Sequence, residues 1–342
     1  MQFRLDEDQL AMRDAVRAFC ADRFGLTDIT ARDGKPTDPG LWAALAELGV
    51  LGVLVDEAGS GIGIIEAAIA FEQFGEHLAG GPVLWSTLAA PFVPGAADGR
   101  VRVAGVELTG TDLANAGPAN AGPADGTNGS LVVEHADECN VLLLLRDDRV
   151  EVCPRAGLPP PVGGTPLDPL TPVAVFPHIP AGQVVGTAAD ARRLRRSGEI
   201  LSAALLVGVA QGALETARGY ALEREQFGVP IGSFQAIKHV LADMYVRVEL
   251  ARAATYAAAA VATDPRAGDP ERTASAAKLL AGEAGIANGR AAVQVLGGMG
   301  FTWDMLPHYF LKRAWVLENG FGPVSSHAAY LGAAVGSESA TS

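Results

Sequence analysis

Two short motifs in the C-terminal half of the chain have the residue types that hold an anionic ligand with flat rings. The first runs from Arg224 to Met244, REQFGVPIGSFQAIKHVLADM, and the second from Gln294 to Phe301, QVLGGMGF. An arginine side chain is a permanent, forked cation that suits phosphate oxygens. Glycines in both segments let the backbone turn sharply and approach a ligand closely. Together, these features indicate a binding site for a ligand that has phosphate groups and aromatic rings.

Within the first motif each residue type has a distinct task. Arg224 is the candidate phosphate ligand, while Gly228 and Pro230 shape the turn that lets the backbone approach. Phe227 and Phe234 offer apolar faces on which rings can lie. The first motif therefore supplies both the charge and the flat surface that such a ligand needs.

Each of these residues alone also has an ordinary structural explanation. Phe234 and Ile237 lie on one apolar stripe of a predicted helix, as core residues do. Gly297 is typical of a helix C-terminus, and Gln294 lies one turn earlier. The combination of both motifs favours ligand binding over these separate explanations.

The two motifs, in this order and at this separation, resemble the flavin-contacting motifs of the acyl-CoA dehydrogenase family. The resemblance implies FAD as the cofactor. In this family these elements reach across a subunit interface to the flavin of the neighbouring chain, so FAD would be shared with a partner subunit. The cofactor contacts implied for this chain are Arg224, Gln226, Phe227, Phe234, Gln235, Ile237, Gln294, Gly297 and Gly298.

The carboxylate that this family uses as a catalytic base is missing from its usual place. The reaction removes a proton next to a thioester carbonyl, which needs a carboxylate of tuned pKa. In most members it lies about nine residues after an arginine in the last bundle helix. Counting from Arg313 reaches Gly322-Pro323, and Glu318 is about one helical turn too early. The resemblance thus gives no catalytic residue at this position.

A minority of family members place the base on the first bundle helix, about ten residues before a Leu-Gly pair. Counting back from Val207-Gly208 gives Gly198, and Glu199 is its neighbour. One residue along a helix rotates a side chain by roughly 100°. Glu199 is therefore a solvated glutamate or one in an N-terminal helical turn on the favoured interpretation, and a base on the alternative one.

The middle of the chain also departs from the family. The Thr-Glu-Pro, Gly-Ser-Asp and Trp-Ile-Thr segments that adjoin the flavin ring are not found between Ala90 and Gly186. The pattern resembles the shorter, non-catalytic subunit of heteromeric α2β2 actinobacterial dehydrogenases that act on steroid side-chain CoA thioesters. This implies a homologous catalytic subunit that holds most of the acyl-CoA, and an electron-transfer flavoprotein as acceptor. The alternatives are a self-sufficient homomeric enzyme with Glu199 as base, and a flavin-free scaffold.

Hydrophobic periodicity predicts a mainly helical α+β chain. We expect an N-terminal helical domain over residues 1–95, a small middle β domain over 96–187 and a C-terminal four-helix bundle over 188–342. The middle domain has short β-branched runs separated by Pro, Gly and Asn clusters, and residues 115–129 are expected to form an exposed loop. The predicted long bundle helices are Gly198–Tyr220, Ser233–Ala262 and Pro270–Leu296, with Asp269 as N-cap.

Composition excludes several classes of partner. The 342-residue chain has a formal net charge of −13, which disfavours nucleic acids and anionic membrane surfaces. Its three cysteines, Cys20, Cys139 and Cys153, have no metal-binding or disulfide spacing. The N-terminus has no continuous apolar segment of the signal-peptide type. We therefore expect a cytoplasmic protein without a metal site.

Overall fold

The computed structural model describes residues 5–27, 29–55, 63–108 and 131–339. These residues form mostly α-helices with a small β-sheet, as predicted. They group into two compact units, which are described separately. The first contains the described residues of Met1–Ala31, Ile64–Ala79 and Glu199–Ser342, and the second those of Arg32–Gly63 and Gly80–Gly198. The predicted loop over residues 115–129 lies outside the described residues.

The helices within these ranges are named in chain order. They are α1 Glu7–Arg23, α2 Pro39–Glu47, α3 Ile64–Glu76, α4 Val83–Ala89, α5 Ala188–Glu223, α6 Gln235–Thr263, α7 Pro270–Leu296, α8 Pro307–Asn319 and α9 Val324–Ser339. The helix α5 begins ten residues before the predicted Gly198, and α9 lies within the predicted bundle but is not among the predicted long helices.

Local sequence chemistry sets several of these helix ends. The Asp6 side chain accepts a hydrogen bond from the Gln9 backbone, and the Gln9 side chain reciprocates, which forms a capping box at α1. At α7 the Asp269 carboxylate accepts from two backbone N–H groups, Pro270 takes the first helical position and Gly297 follows the last. The predicted boundaries of α7 are thus confirmed.

Glycines allow α3 and α5 to pack with their backbones in contact. A Cβ atom on Gly75 would lie 2.0 Å from the Leu205 carbonyl oxygen, and one on Gly208 would lie 1.9 Å from the Glu72 carbonyl oxygen. By length and composition α5 could span a membrane, but 83% of its apolar window is buried. This burial identifies α5 as the core helix of a bundle.

The second unit has a four-stranded sheet and a two-stranded one. The strands are β1 Val103–Leu108, β2 Leu131–Glu134, β3 Val141–Arg146, β4 Val150–Pro154, β5 Val173–Phe176 and β6 Gln183–Gly186. The larger sheet has the order β1-β3-β4-β6, with β1 and β3 parallel and the other pairs antiparallel, and β2 pairs with β5. Buried Leu142, Leu144 and Phe176 form part of the hydrophobic core of the second unit. Five of these six strands overlap runs that the sequence predicts as strands, while β6 is new. The predicted runs are Val101–Val106, Leu131–Val133, Val141–Leu145, Val150–Val152 and Val173–Phe176.

A tryptophan packs on this sheet although none lies in the β region of the sequence. Trp85 comes from α4, and a Cβ atom on Gly105 in β1 would lie 2.1 Å from its ring. The glycine therefore makes room for the indole. Sequence position alone does not indicate this contact, because the two residues are 20 positions apart.

Candidate functional site

A two-residue hairpin connects α5 to α6 at the first motif. The short strands β7 Glu225–Gln226 and β8 Val229–Pro230 are antiparallel, and Phe227 and Gly228 form the turn with φ angles of +54° and +79°. Positive φ at both central residues is typical of tight hairpins, but it is uncommon for a bulky residue. The Phe227 side chain is 93% exposed. The turn thus directs a large apolar ring away from the rest of its unit.

The Arg224 side chain is available for an anion. Its backbone is tied down, because the amide donates to the Tyr220 carbonyl at 2.9 Å and the carbonyl accepts from Ile231 at 2.8 Å. Its guanidinium is exposed and has no hydrogen bond or ion pair with the described residues. Gln226 is also exposed, and its amide donates only locally, to the Glu225 carbonyl at 2.7 Å. A fixed backbone with an uncommitted cation suits phosphate binding.

The start of α6 adds a second aromatic ring. Phe234 precedes Gln235, the first residue of α6, and its ring lies edge-to-face with that of Phe227 at 6.2 Å and 86°. Phe234 is 38% exposed, while Ile237 is half-buried and anchors the first turn by donating to the Phe234 carbonyl at 3.1 Å. The two phenylalanines form one exposed apolar surface beside Arg224.

The second motif forms an open corner at the end of α7. Gly297 has φ +62° and ψ −138°, a conformation that is essentially restricted to glycine. A Cβ atom on Gly298 would meet no atom within 4 Å, and Gln294 is exposed one turn earlier. The backbone here can approach a ligand without a side chain in between.

The register of α6 against α7 brings the two motifs to the same level. The Asn288 amide donates to the Met244 carbonyl at 3.0 Å, and these helices run antiparallel. Every residue of an α-helix advances the same distance along the helix axis. In an antiparallel pair, the residue nine positions before Met244 is therefore level with the residue nine positions after Asn288. These positions are Gln235 and Gly297. All nine predicted cofactor contacts therefore cluster at one end of this helix pair.

The nine residues of the two motifs form one surface, the motif surface, which has groups of the kind that a flavin dinucleotide needs. It offers an uncommitted guanidinium for the pyrophosphate, an aromatic pair for a flat ring and a glycine corner for close backbone approach. Exposed amides of glutamine add donors and acceptors. Among residues that the structure describes, no three potential metal ligands come together. That these particular residues hold FAD remains a prediction.

The corner between α8 and α9 has no acid at the position where most family members have their base. Arg313 is buried and donates to the Ala79 carbonyl at 2.9 Å. Nine residues later Gly322 has φ +89°, and a Cβ atom there would lie 3.0 Å from the His327 Nε2 atom. The preceding Phe321 is buried with φ +55°. A side chain at position 322 would therefore be both strained and crowded.

A buried lysine closes this corner. Lys278 of α7 is fully buried, and its ammonium donates to the carbonyls of Glu318 at 2.8 Å and Gly322 at 3.0 Å. Lys278 is not among the residues that the sequence motifs indicate. The sequence feature that could have identified it is a charged residue on the apolar face of α7, between Ala274 and Ala281. A lysine buried on such a face needs hydrogen-bonding partners and is therefore a candidate for a specific role.

A neutral histidine completes the corner. His327 Nε2 donates to the Phe321 carbonyl at 2.9 Å, so its Nδ1 accepts from the Ser275 hydroxyl at 2.7 Å. Burial and the nearby Lys278 charge lower the pKa of His327 to about 4. The imidazole is thus uncharged at neutral pH and acts as a structural link.

The two glutamates weighed as bases have identifiable surroundings. The Glu318 carboxylate accepts from the Val324 backbone N–H at 2.7 Å and so stabilises the start of α9. Glu199 is half-buried in α5 close to Tyr330, whose pKa is raised by burial and then by Asp269, Glu271 and Glu199.

Both ends of the chain match models of one protein family. Residues 6–93 match the acyl-CoA dehydrogenase N-terminal domain, and residues 196–335 match the acyl-CoA dehydrogenase C-terminal domain. The acyl-CoA dehydrogenase FadE34 of Mycobacterium tuberculosis is 32% identical over 80% of this chain, which spans 39% of that relative's length. The acyl-CoA dehydrogenase IpdE2 of the same organism is 28% identical over 90% of this chain and 91% of its own.

Solved structures share the fold. A Tcur3481-Tcur3483 steroid ACAD G363A variant superposes with a TM-score of 0.82 and 25% identity, over 98% of this chain and 99% of that chain. The ChsE4-ChsE5 complex from Mycobacterium tuberculosis has a TM-score of 0.81 and 23% identity over 98% and 99%. The predicted fold class, with its helical lobe, small β domain and helical bundle, is confirmed.

Proposed function

Because this chain belongs to the acyl-CoA dehydrogenase family, we propose that it is the non-catalytic subunit of a heteromeric FAD-dependent acyl-CoA dehydrogenase. The complex desaturates an acyl-CoA thioester between its α and β carbons. FAD is the cofactor of the family, as the sequence analysis predicts. This chain contributes contacts to FAD across the interface, while a homologous catalytic subunit supplies the base.

The observation that carries the proposal is the separation of the two candidate sites within one chain. The motif surface at Gly297 faces outward, while the corner at Lys278 has Phe321 and Gly322 where a base would be expected. Nineteen residues of α7 separate Lys278 from Gly297, which is roughly 28 Å. The outward surface is therefore suited to a cofactor whose reacting end lies in another chain.

Each residue of the motif surface has a physical role in this proposal. The Arg224 guanidinium binds phosphate oxygens, and the Phe227 and Phe234 rings cover the flat part of the cofactor and exclude water. Gly297 and Gly298 let the backbone approach, and Gln294 orients the cofactor through its amide. Bound FAD supplies the hydride acceptor. Proton removal is assigned to the catalytic subunit, because this chain keeps a neutral histidine and a lysine at the α8–α9 corner.

The substrate proposed is a bulky steroid side-chain CoA thioester, held mainly in the catalytic subunit. Support comes from the similarity to the steroid ACAD named above. A complex with half the usual number of active sites leaves room for a polycyclic substrate. An electron-transfer flavoprotein is the proposed acceptor, and the cytoplasm is the proposed location. A complex that oxidises only short linear thioesters would contradict the substrate assignment.

Two alternatives remain distinct from this proposal. In a self-sufficient homomeric enzyme Glu199 would act as base, and each copy would hold its own FAD. In a flavin-free scaffold the motif surface would bind protein alone. The uncommitted Arg224 guanidinium favours cofactor binding over the scaffold, since a cation in a purely protein contact needs an acidic partner.

The proposal is tested by co-expressing the chain with a homologous acyl-CoA dehydrogenase that retains its glutamate. We expect about one flavin per heterodimer, measured from the flavin absorbance and the protein mass. Two flavins per heterodimer, or a yellow active chain on its own, would support the homomeric alternative. No flavin in the complex would support the scaffold.

An arginine variant then tests the motif surface. Arg224→Gln is expected to weaken flavin retention at least tenfold, because one charge-assisted phosphate contact is worth about 1.5–3 kcal/mol. The matched control is Arg218→Gln, an exposed arginine of α5 paired with Glu215 at 3.2 Å. Equal flavin loss in both variants would contradict a specific role for Arg224.

A further inference from the structure

Asn288 of α7 is a fully buried residue whose side chain makes hydrogen bonds to two other helices. Its Nδ2 atom donates to the Ala210 carbonyl of α5 at 3.2 Å and to the Met244 carbonyl of α6 at 3.0 Å. Its Oδ1 atom accepts from the Arg247 guanidinium at 3.4 Å. A side-chain amide has two N–H donors, so both are used. One side chain therefore joins three helices of the first unit.

These three helices are the ones that carry the motif surface. Helix α5 ends directly before Arg224, α6 begins at Gln235, and α7 ends directly before Gly297. Gln235 and Gly297 each lie nine residues, roughly 14 Å, from the hydrogen bond between α6 and α7. Arg224 lies fourteen residues, roughly 21 Å, beyond Ala210. The relative heights of the motif residues thus depend on how the helices are aligned at Asn288.

The buried face of α7 around Asn288 consists largely of small residues. Its nearest buried neighbours on that face are Ala281, Ala284, Gly285, Gly289 and Ala292. Burial of apolar groups stabilises packing without a preferred direction. A hydrogen bond is directional, and a shift of about 1 Å weakens or breaks it. A buried polar side chain can therefore fix an alignment that small apolar residues leave open.

We propose that Asn288 is a positioning residue for the cofactor. Its amide fixes the alignment of α5, α6 and α7, and thereby sets Arg224, Gln235 and Gly297 at the spacing that FAD requires. A ligand held by three separate segments binds tightly only when all three are in place, because a misplacement of about 1 Å is costly. Asn288 is buried and distant from the motif surface, so it acts through the helices and not by contact.

The orientation of the amide follows from its partners. The two carbonyl oxygens need a donor and the Arg247 guanidinium needs an acceptor, so one of the two possible amide orientations satisfies all three groups. An ionised aspartate at position 288 keeps an acceptor for Arg247 but has no donor for Ala210 and Met244. Asn288→Asp therefore tests the donor separately from the size of the side chain.

Two spin labels measure the alignment in the full chain without flavin. Ala236→Cys, exposed in the first turn of α6, and Met299→Cys, 48% exposed after the end of α7, carry the labels. The three native thiols are buried and stay unlabelled. Pulsed EPR is recorded after dilution with unlabelled chain, so that only distances within one chain are seen. We expect one narrow distance distribution with Asn288, and a distribution broadened or displaced by about 1.5 Å or more in Asn288→Ala and Asn288→Asp.

Flavin retention is then compared in the co-expressed complex. This step rests on the proposed function, whereas the label distances do not. Asn288→Ala and Asn288→Asp should each weaken flavin retention about tenfold or more, because Arg224 is then displaced from the other contacts.

The matched control is Lys278→Met, which removes buried hydrogen bonds ten residues earlier on α7. Its partners are carbonyls of the α8–α9 corner, so it lowers stability without releasing α5 or α6. Lys278→Met should leave the label distances unchanged and alter flavin retention less than about threefold. All variants are compared at a temperature at which circular dichroism shows them folded.

Three results would overturn the inference. The first is a label distance in Asn288→Ala and Asn288→Asp equal to that of the wild type. The second is a changed distance with flavin retention unaltered, and the third is equal flavin loss in Lys278→Met and the two Asn288 variants. Failure of the proposed function gives a different result, because Arg224→Gln would then retain flavin, or the complex would hold none, while the label distances would still change in the Asn288 variants.

Discussion

The Lys278 ammonium donates a hydrogen bond to the Gly322 carbonyl at 3.0 Å, and thereby joins the middle of α7 to the corner between α8 and α9. A second bond to the Glu318 carbonyl at 2.8 Å holds the last turn of α8. Burying an ammonium is costly unless its protons are bonded, so the lysine and the two carbonyls depend on each other. A structural clamp therefore occupies the region in which the family resemblance places a base.

Removing this clamp should destabilise the protein. Lys278→Met keeps most of the length of the side chain but leaves the half-buried carbonyls of Glu318 and Gly322 without this donor, at a cost of about 2–4 kcal/mol. Urea unfolding measures the change in the free energy of unfolding. Lys238→Met, at an exposed lysine of α6, should change it by less than about 0.5 kcal/mol. Equal effects of the two changes would contradict the clamp.

The backbone of the same corner provides a second test. Gly322→Ala should lower the free energy of unfolding by about 1–3 kcal/mol, because alanine is strained at φ +89° and its Cβ atom would lie 3.0 Å from His327. Gly320→Ala is the matched control, since Gly320 has φ −67° and a Cβ atom there would lie at an ordinary contact distance of 3.8 Å from the Leu317 carbonyl oxygen. Calorimetry or urea unfolding measures the free energy of unfolding of both variants. A tolerated alanine at position 322 would show that the corner is not tightly packed.

The His327 imidazole should make stability depend on pH. Its pKa of about 4 in the folded protein lies below the ordinary value of 6.5, so the unfolded chain binds more protons between these values. Stability from this group is complete above about pH 6.5 and is lost as the pH falls towards 4. Between pH 7.5 and 4.5 the wild type should lose about 2–3 kcal/mol more than His327→Gln. Parallel pH profiles for the two proteins would contradict a buried neutral histidine.

The exposed phenylalanine of the hairpin should matter for flavin and little for folding. Phe227 is 93% exposed, so Phe227→Ala removes almost no buried surface and should leave the melting temperature nearly unchanged. In the co-expressed complex Phe227→Ala should weaken flavin retention severalfold, because the exposed Phe227 ring is proposed to pack against the bound cofactor. Phe310→Ala, at a fully buried ring, should instead cost about 3–5 kcal/mol of stability. Flavin retention unchanged in Phe227→Ala would contradict the cofactor assignment.

The cysteines should be unreactive in the folded chain. Burial raises the pKa of Cys20 to about 12 and also raises the pKa values of Cys139 and Cys153. Thiolate is the reactive form, so a thiol reagent at pH 8 should label less than one cysteine per native chain. All three should react in denaturant. Rapid labelling of the native protein would indicate that these cores open readily.

Local sequence chemistry is sufficient to predict much of this fold. Asp269, Pro270 and Gly297 mark the ends of α7 because capping depends on a few neighbouring residues. Hydrophobic periodicity predicts helical structure over 188–342, but it does not place the start of α5 at Ala188 and does not indicate β6 or a separate α9. The strand β6 is stabilised by pairing with β4, which local propensity does not reveal.

Some features of the candidate site follow from the sequence alone, and others depend on the tertiary structure. Residue types and spacing determined by themselves the family resemblance, the helix caps and the absence of a carboxylate at Phe321 and Gly322. Only the tertiary structure decided that Gln235 lies level with Gly297 and that Lys278 closes a distant corner. These relationships depend on the register of packed helices, which is set by contacts between residues far apart in the chain.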